Sequence, residues 1–318
     1  MMLEKILWDE KRKNTFSFFL YPLSKIYKKW IDIRHFLYRH KVLKDYPSPV
    51  FTVCVGSIFV GGSGKTPFVR LLLEHLGEDV FVLSRGYKNL DEPLFCKNCV
   101  IQKDRVQGAK DCLEKGAKAI IMDDGLQHLR LKKDVKIAVL TKEQLNKGWD
   151  FLPFGSLRDT PSTLTSVDVA VLHEMETPED YLRAQEFLKS FNIPRFIGTQ
   201  TEFLGFFTLD QVPVSHVKRV FLFSGIARPH RFRKMCESLG VEVLDHEVVS
   251  DHEMIDLDRL NRLIQRAQNK SAHLVMTEKD AVKYPKMEGV LQAKIRTKVT
   301  FDQQNFDYLI GKFHETMD

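Results

Sequence analysis

Residues 59–66 read Phe59-Val-Gly-Gly-Ser-Gly-Lys-Thr66. Glycines at 61, 62 and 64 allow successive backbone N–H groups to turn inward toward phosphate oxygens, and a helix beginning just after them adds its dipole. Lys65 is spaced to reach β- and γ-phosphates, and the Thr66 hydroxyl to bind Mg²⁺. The strict spacing G-x-x-x-x-G-K-[ST] has glycine at the position that Phe59 occupies, so the match is to the deviant G-G-x-G-K-T form. Phe59, Val60, Gly61, Gly62, Ser63, Gly64, Lys65 and Thr66 are therefore candidate nucleotide contacts. Such a loop binds a nucleotide without naming a reaction.

Other polar clusters follow apolar runs. Leu83-Ser-Arg-Gly-Tyr87 offers Arg85 for a phosphate or sugar oxygen and Tyr87 for stacking on a sugar face; a surface turn is the plainer reading. Asp91-Glu-Pro93 supplies carboxylates able to accept a proton from an attacking hydroxyl, or a solvated acidic turn. Met122-Asp-Asp-Gly-Leu-Gln-His128 ends an apolar run in Asp123 and Asp124, the pattern that holds Mg²⁺ beside a phosphate loop, with Gln127 and His128 next to it. Leu152-Pro-Phe-Gly-Ser-Leu-Arg-Asp159 brings Arg158, a candidate to neutralise a moving phosphoryl group, and Asp159, a candidate metal ligand. Ser250-Asp-His-Glu253 carries His252, which could orient a carboxylate or relay a proton. Cys96-Lys-Asn-Cys99 is a single C-x-x-C, and structural zinc generally needs a second ligand pair.

Positioning these groups requires a scaffold. Phe51–Val55 reads as a buried strand, residues 67–76 as a helix and Val80–Ser84 as a strand. Asp104–Lys115 reads as a helix, and strands follow at Ala119–Met122, Ile137–Thr141 and Val167–Leu172. A second set begins at Val220–Ser224 and closes with a helix over Phe306–Thr316. The alternation predicts an α/β fold with a P-loop NTPase-like, doubly wound, mostly parallel sheet, a second smaller α/β domain and an N-terminal amphipathic helical arm. The expected domains are 1–45 (the arm), 46–212 (the core) and 213–318 (the smaller domain). Ligands in such sheets sit at the carboxyl ends of strands, where the polar clusters fall.

The 318 residues are 43% hydrophobic and 28% charged, which excludes a disordered or collagen-like chain. Five scattered cysteines and no cleavable secretory signal point to a reducing compartment. The net charge of +6 is concentrated: residues 1–45 hold eleven Lys/Arg against five Asp/Glu. A basic arm on a near-neutral body argues for a local anionic partner and against nucleic acid. Nothing in the sequence calls for an obligate protein partner. Within 14–38, aromatic and aliphatic residues interleave with Lys and Arg, and Ile26, Trp30, Ile33 and Phe36/Leu37 follow a helical period. No run reaches the roughly 20 apolar residues that span a bilayer. A helix lying on an anionic membrane and a helix packed on the protein's own core fit these residues equally.

Taken in order, Val55 to Pro67, Leu83 to Tyr87, Asp91-Glu-Pro93, Asp123 to His128, Leu152 to Asp159, Ser224-Gly-Ile-Ala-Arg-Pro229, Asp251-His252 and Thr277-Glu-Lys-Asp-Ala-Val-Lys283 form a series that resembles the tetraacyldisaccharide 4'-kinase family of lipid A biosynthesis. The resemblance runs from about residue 15 to the last helix. It implies ATP- and Mg²⁺-dependent phosphorylation of the 4'-hydroxyl of a tetraacyl glucosamine disaccharide 1-phosphate, giving lipid IVA. It also implies a peripheral protein on the cytoplasmic face of the bacterial inner membrane, which favours the membrane reading of 14–38. By matched motif, Asp91 would be the base, assisted by His252, with Lys65 and Arg158 on the phosphates. Thr66, Asp123, Asp124 and Asp159 would lie on the metal side, and Arg85, Tyr87, Gln127 and His128 near the sugar. This chain departs from the family pattern in Leu90 (usually Gly), a shortened stretch before Asp91, Asp159 (usually Glu), Leu126 (usually aromatic) and Ser156 (usually Pro). The alternative reading is a membrane-docked deviant P-loop ATPase switch, although such proteins often carry Lys where this chain has Val60. A metallochaperone NTPase rests on the cysteines alone and lacks a His-rich tract.

Overall fold

A computed structural model describes residues 13–86, 98–226, 228–250 and 253–317, with side chains of the first helix described from Leu20 onward. Contacts among these residues divide the chain into two units, one of residues 13–86, 98–200 and 297–317 and one of residues 201–296.

The first unit opens with helix α1 (Lys13–Arg39). Strand β1 (Phe51–Gly56) leads through the glycine loop into α2 (Lys65–His75). There follow β2 (Val80–Ser84), β3 (Cys99–Ile101), α3 (Arg105–Glu114), β4 (Ala119–Asp123), β5 (Val135–Thr141), α4 (Lys142–Asn146), β6 (Val169–His173) and α5 (Pro178–Leu188). Strand β7 (Arg195–Thr208) begins in this unit. The strand order is β7-β6-β5-β1-β4-β2-β3, and the pairs are parallel. Continuous apolar strands such as Ala119-Ile-Ile-Met122 are what a sheet covered on both faces requires. The period of two sorts β1 between the faces: Val53 and Val55 pack with Phe68 and Leu72 of α2, whereas Cys54 faces Phe59, Leu126 and Leu157.

The second unit contains β8 (Pro213–Val214), β9 (Arg219–Ser224), α6 (Pro229–Ser238), β10 (Glu242–Val248), α7 (Leu257–Gln268), β11 (His273–Thr277), α8 (Glu278–Ala281) and the start of β12 (Val290–Phe301). Strands β10, β9, β11 and β12 are parallel neighbours in that order, and β8 pairs antiparallel with β7. Helix α9 (Gln303–Met317) groups with the first unit, because Phe306, Leu309 and Phe313 are buried against Val53, Ile121 and Val171. The sequence division at 213 places that helix in the smaller domain, whereas its apolar face packs into the first unit. Both unit boundaries fall inside strands, β7 and β12, where composition gives no linker signal.

Candidate nucleotide site

The glycine loop is shaped by backbone geometry that side chains would oppose. Gly61 has φ +92° and Gly64 φ +85°, both left-handed. Gly64 caps α2, so Lys65 and Thr66 occupy the helix's first turn, where N–H groups and dipole favour an anion. A Cβ on Gly64 would lie 2.4 Å from Cδ2 of His173, leaving it no room. His173 ends β6 and is itself held, with Nδ1 3.0 Å from Thr199 Oγ1 and Nε2 3.2 Å from Glu174 Oε1.

Phe59 explains its own departure from glycine. It is fully buried, and its ring meets Trp149 edge-on at 5.4 Å between centroids. Any contact it makes with a nucleotide is left to its backbone. The flanking residues bridge to the Leu152–Asp159 segment: Val60 N donates to Ser156 O at 2.9 Å and Arg158 N to Ile58 O at 2.9 Å. The loop is thereby fastened to the segment that carries Arg158.

Strand β4, next to β1, delivers Asp123 and Asp124 beside the loop. Arg158 grips Asp124 with both terminal nitrogens, Nη1 to Oδ2 at 2.7 Å and Nη2 to Oδ1, and bonds Ser57 O through Nε (3.2 Å) and Nη2 (3.0 Å). Lys65 Nζ lies 3.6 Å from Asp124 Oδ1 and donates to Ser63 Oγ at 3.3 Å. Burial pulls the Lys65 pKa down, and neighbouring Asp124 resists that pull. Burial acts to raise the Asp124 pKa, but hydrogen bonds and charge from Arg158 and Lys65 outweigh it and hold the carboxyl below its usual range. Two cations are thus held on one carboxylate beside the glycine loop.

Thr66 Oγ1 donates to Asp123 Oδ2 at 3.4 Å. A hydroxyl and a carboxylate are hard oxygen donors, and Mg²⁺ typically takes one or two such ligands and completes its octahedron with water and phosphate oxygens. Thr66 and Asp123 fit that ion. Asp124 is engaged by Arg158 and Lys65 instead. Asp159, with its side chain 2% exposed, accepts from Thr160 N (2.8 Å) and Gln127 Nε2 (3.4 Å), and pairs with His35 Nε2 at 2.7 Å. Both its oxygens are already taken by nitrogen groups.

Gln127 also donates to Ser57 O at 2.9 Å, while Arg34 donates to Gln127 O and Tyr27 to Arg158 O at 3.2 Å. His128 is pushed down to about 4, first by burial and then by Arg105, Lys133, Arg85 and Arg34, so it is neutral at pH 7. Lys133 reaches beneath it to donate to His128 O. Tyr87, Asp91 and His252 lie outside the described residues, as does Cys96. Of the other thiols, Cys54, Cys112 and Cys236 are buried, and burial pushes them up to about 11, 12 and 12.

The structure therefore gathers Lys65, Thr66, Asp123, Asp124, Gln127, Arg158 and Asp159 around one loop. Sequence reasoning missed Tyr27, Arg34, His35, Ser57 and His173. The helical period that put Ile26, Trp30 and Ile33 on one face of α1 put Tyr27, Ile31, Arg34 and His35 on another, and that was the available signal.

A family model described as LpxK, Tetraacyldisaccharide-1-P 4'-kinase, matches residues 16–98 and 91–314. The chain belongs to that family. Family relatives include a tetraacyldisaccharide 4'-kinase of Actinobacillus pleuropneumoniae serotype 5b (strain L20), 32% identical, covering 93% of this chain and 90% of the relative. Another, from Vibrio cholerae serotype O1 (strain El Tor Inaba N16961), is 30% identical, covering 100% of this chain and 98% of the relative. Among solved structures, the "apo" form of LpxK from Aquifex aeolicus in complex with ATP superposes with a TM-score of 0.70 at 26% identity, covering 98% of this chain and 99% of that one. The family fold is the mostly parallel α/β arrangement expected from the sequence.

Proposed function

We propose that this chain transfers the γ-phosphate of ATP to the 4'-hydroxyl of a tetraacyl glucosamine disaccharide 1-phosphate, giving lipid IVA. The carrying observation is the pairing of Lys65 and Arg158 on Asp124 beside a glycine loop, in a chain that matches the kinase family over nearly its whole length. The loop amides and Lys65 hold the β- and γ-phosphates. Arg158 moves from Asp124 toward the transferring group, where it offsets charge spread over the equatorial oxygens. Thr66 and Asp123 would hold Mg²⁺, which when bound would supply charge neutralisation on the phosphates. Asp91, assisted by His252, removes the hydroxyl proton as the sugar oxygen bonds phosphorus and the bond to ADP breaks. Arg85, Tyr87, Gln127 and His128 line the acceptor side; a neutral His128 can donate to or accept from a sugar hydroxyl.

The acceptor is a lipid, and α1 is suited to its surface. Leu23, Ile26, Trp30, Ile33 and Phe36 are exposed on one side, with Lys25, Lys28 and Lys29 exposed beside them. Among the described residues no helix is long and apolar enough to cross a membrane. The reading is of a peripheral protein resting on an anionic leaflet through α1, at the cytoplasmic face of the inner membrane.

The ATPase-switch alternative finds no support in the family match. ³²P transfer from ATP to the disaccharide 1-phosphate in detergent micelles tests the reading. Labelled lipid is the expected product; lipid-independent ATP hydrolysis without labelled lipid would overturn it.

A further inference from the structure

Helix α1 has a second face, and it points at the nucleotide site. Ile31 is 2% exposed, and around it Tyr27, Arg34 and His35 each bond a residue of the site: Arg158 through its carbonyl, Gln127 through its carbonyl, and Asp159 through its carboxylate. The His35 contact closes a circuit. His35 pairs with Asp159, Asp159 accepts from Gln127, Gln127 donates to Ser57 O, and Ser57 O also accepts from Arg158, the residue before Asp159. The amides of Arg158 and Asp159 both donate to Ile58 O, at 2.9 and 3.3 Å. The backbone from which the Arg158 side chain extends is thus pinned at its own residue and at the next.

We propose that His35 is a positioning residue, which fixes Asp159 and through it aims Arg158, and that Asp159 is a pin between α1 and the phosphate loop and not a metal ligand. The short Asp159 side chain fits this role: both its oxygens are covered by nitrogen groups, one of them supplied by the helix. The same helix that carries the exposed apolar face therefore holds the aim of Arg158. The inference rests on the kinase reading for its kinetic consequences.

The test compares full-length wild type, His35→Ala, His35→Gln and Asp159→Asn by three measurements. In the transfer assay, His35→Ala lowers kcat by about 10- to 100-fold, the scale of a misplaced catalytic group. The KM for the lipid stays within about twofold. His35→Gln, which can still donate to Asp159, recovers most of the loss. The Mg²⁺ concentration for half-maximal activity is the same in all four proteins. Amide hydrogen exchange, which needs no turnover, becomes faster over residues 156–160 in His35→Ala and returns toward wild type in His35→Gln. A wild-type kcat with unchanged exchange in His35→Ala would overturn the proposal. So would a raised Mg²⁺ requirement confined to Asp159→Asn, which would make Asp159 a metal ligand after all. Wild-type protein that transfers no phosphate, yet shows the exchange pattern, would sink the kinase reading and leave the pin standing.

Discussion

At the scale of single residues, the site is a cluster of paired charges around the glycine loop. Lys65 and Arg158 share Asp124, and Arg158 is also bonded to Ser57 O. Lys65→Ala is expected to remove turnover while leaving the thermal unfolding temperature within a few degrees of wild type; near-normal phosphate transfer would contradict the assignment. Asp91→Ala is expected to lower kcat by about 10²–10⁴-fold, the contribution of a general base, with ATP affinity unchanged. A change in ATP affinity alone would move Asp91 to the nucleotide. The depressed His128 carries a stability signature. An unfolded histidine takes up a proton as pH falls through about 6.5, whereas the folded one resists until about 4. His128 therefore contributes stability that is complete above pH 6.5, declines between 6.5 and 4, and is flat below. His128→Gln should show a smaller loss of melting temperature between pH 7 and pH 4.5 than wild type. Much of this site was legible: glycines, Lys65 and the paired aspartates announce themselves by spacing. The partners were not, because Tyr27, Arg34 and His35 look like ordinary surface polar residues until the fold brings them to residues 127, 158 and 159.

At the scale of elements, Phe59 and α1 matter most. The sequence treats Phe59 as a flaw in a motif, but the loop needs an anchor, and the ring on Trp149 provides one. No local pattern could announce a contact ninety residues away. Phe59→Gly would restore the strict motif and is expected to cost about 3–5 kcal/mol, as other buried aromatic deletions do. Urea denaturation measures it, and a midpoint equal to wild type would show that the motif tolerates either residue. Helix α1 carries exposed Lys25, Lys28 and Lys29 beside its apolar stripe. Each lysine near an anionic leaflet contributes about 1 kcal/mol, so replacing all three by Gln should weaken binding to phosphatidylserine-containing vesicles by roughly 10²-fold at moderate salt. Unaltered sedimentation with the vesicles would remove the electrostatic part of the docking argument. Strands β7 and β12 escaped sequence reading for a different reason. The β7 run is broken by Gly198 and Gly205, and β12 changes part-way from a mostly apolar start to an alternation of Lys294, Arg296 and Lys298 with Ile295, Thr297 and Val299, so neither keeps one pattern along its length.

At the scale of the whole molecule, the first unit is assembled from three stretches of chain. Its sheet is covered on one face by α9, whose Phe306, Leu309 and Phe313 are each 1% exposed or less. Phe313→Ala should therefore destabilise the unit that holds the nucleotide site by about 3–5 kcal/mol, though it lies far along the sequence from every motif. A drop in urea midpoint with an unchanged slope would be the signature. The fold class was legible because buried parallel strands write themselves as apolar runs. The ownership of α9 was not, because an amphipathic helix states that it has a partner without saying which. Gly64 carries one more consequence. Its left-handed backbone and the His173 ring against it leave no space for a side chain of any kind. An inhibitor that took its grip on the backbone at this spot would face a target with few escape routes, since a side chain introduced there would first disturb the loop itself.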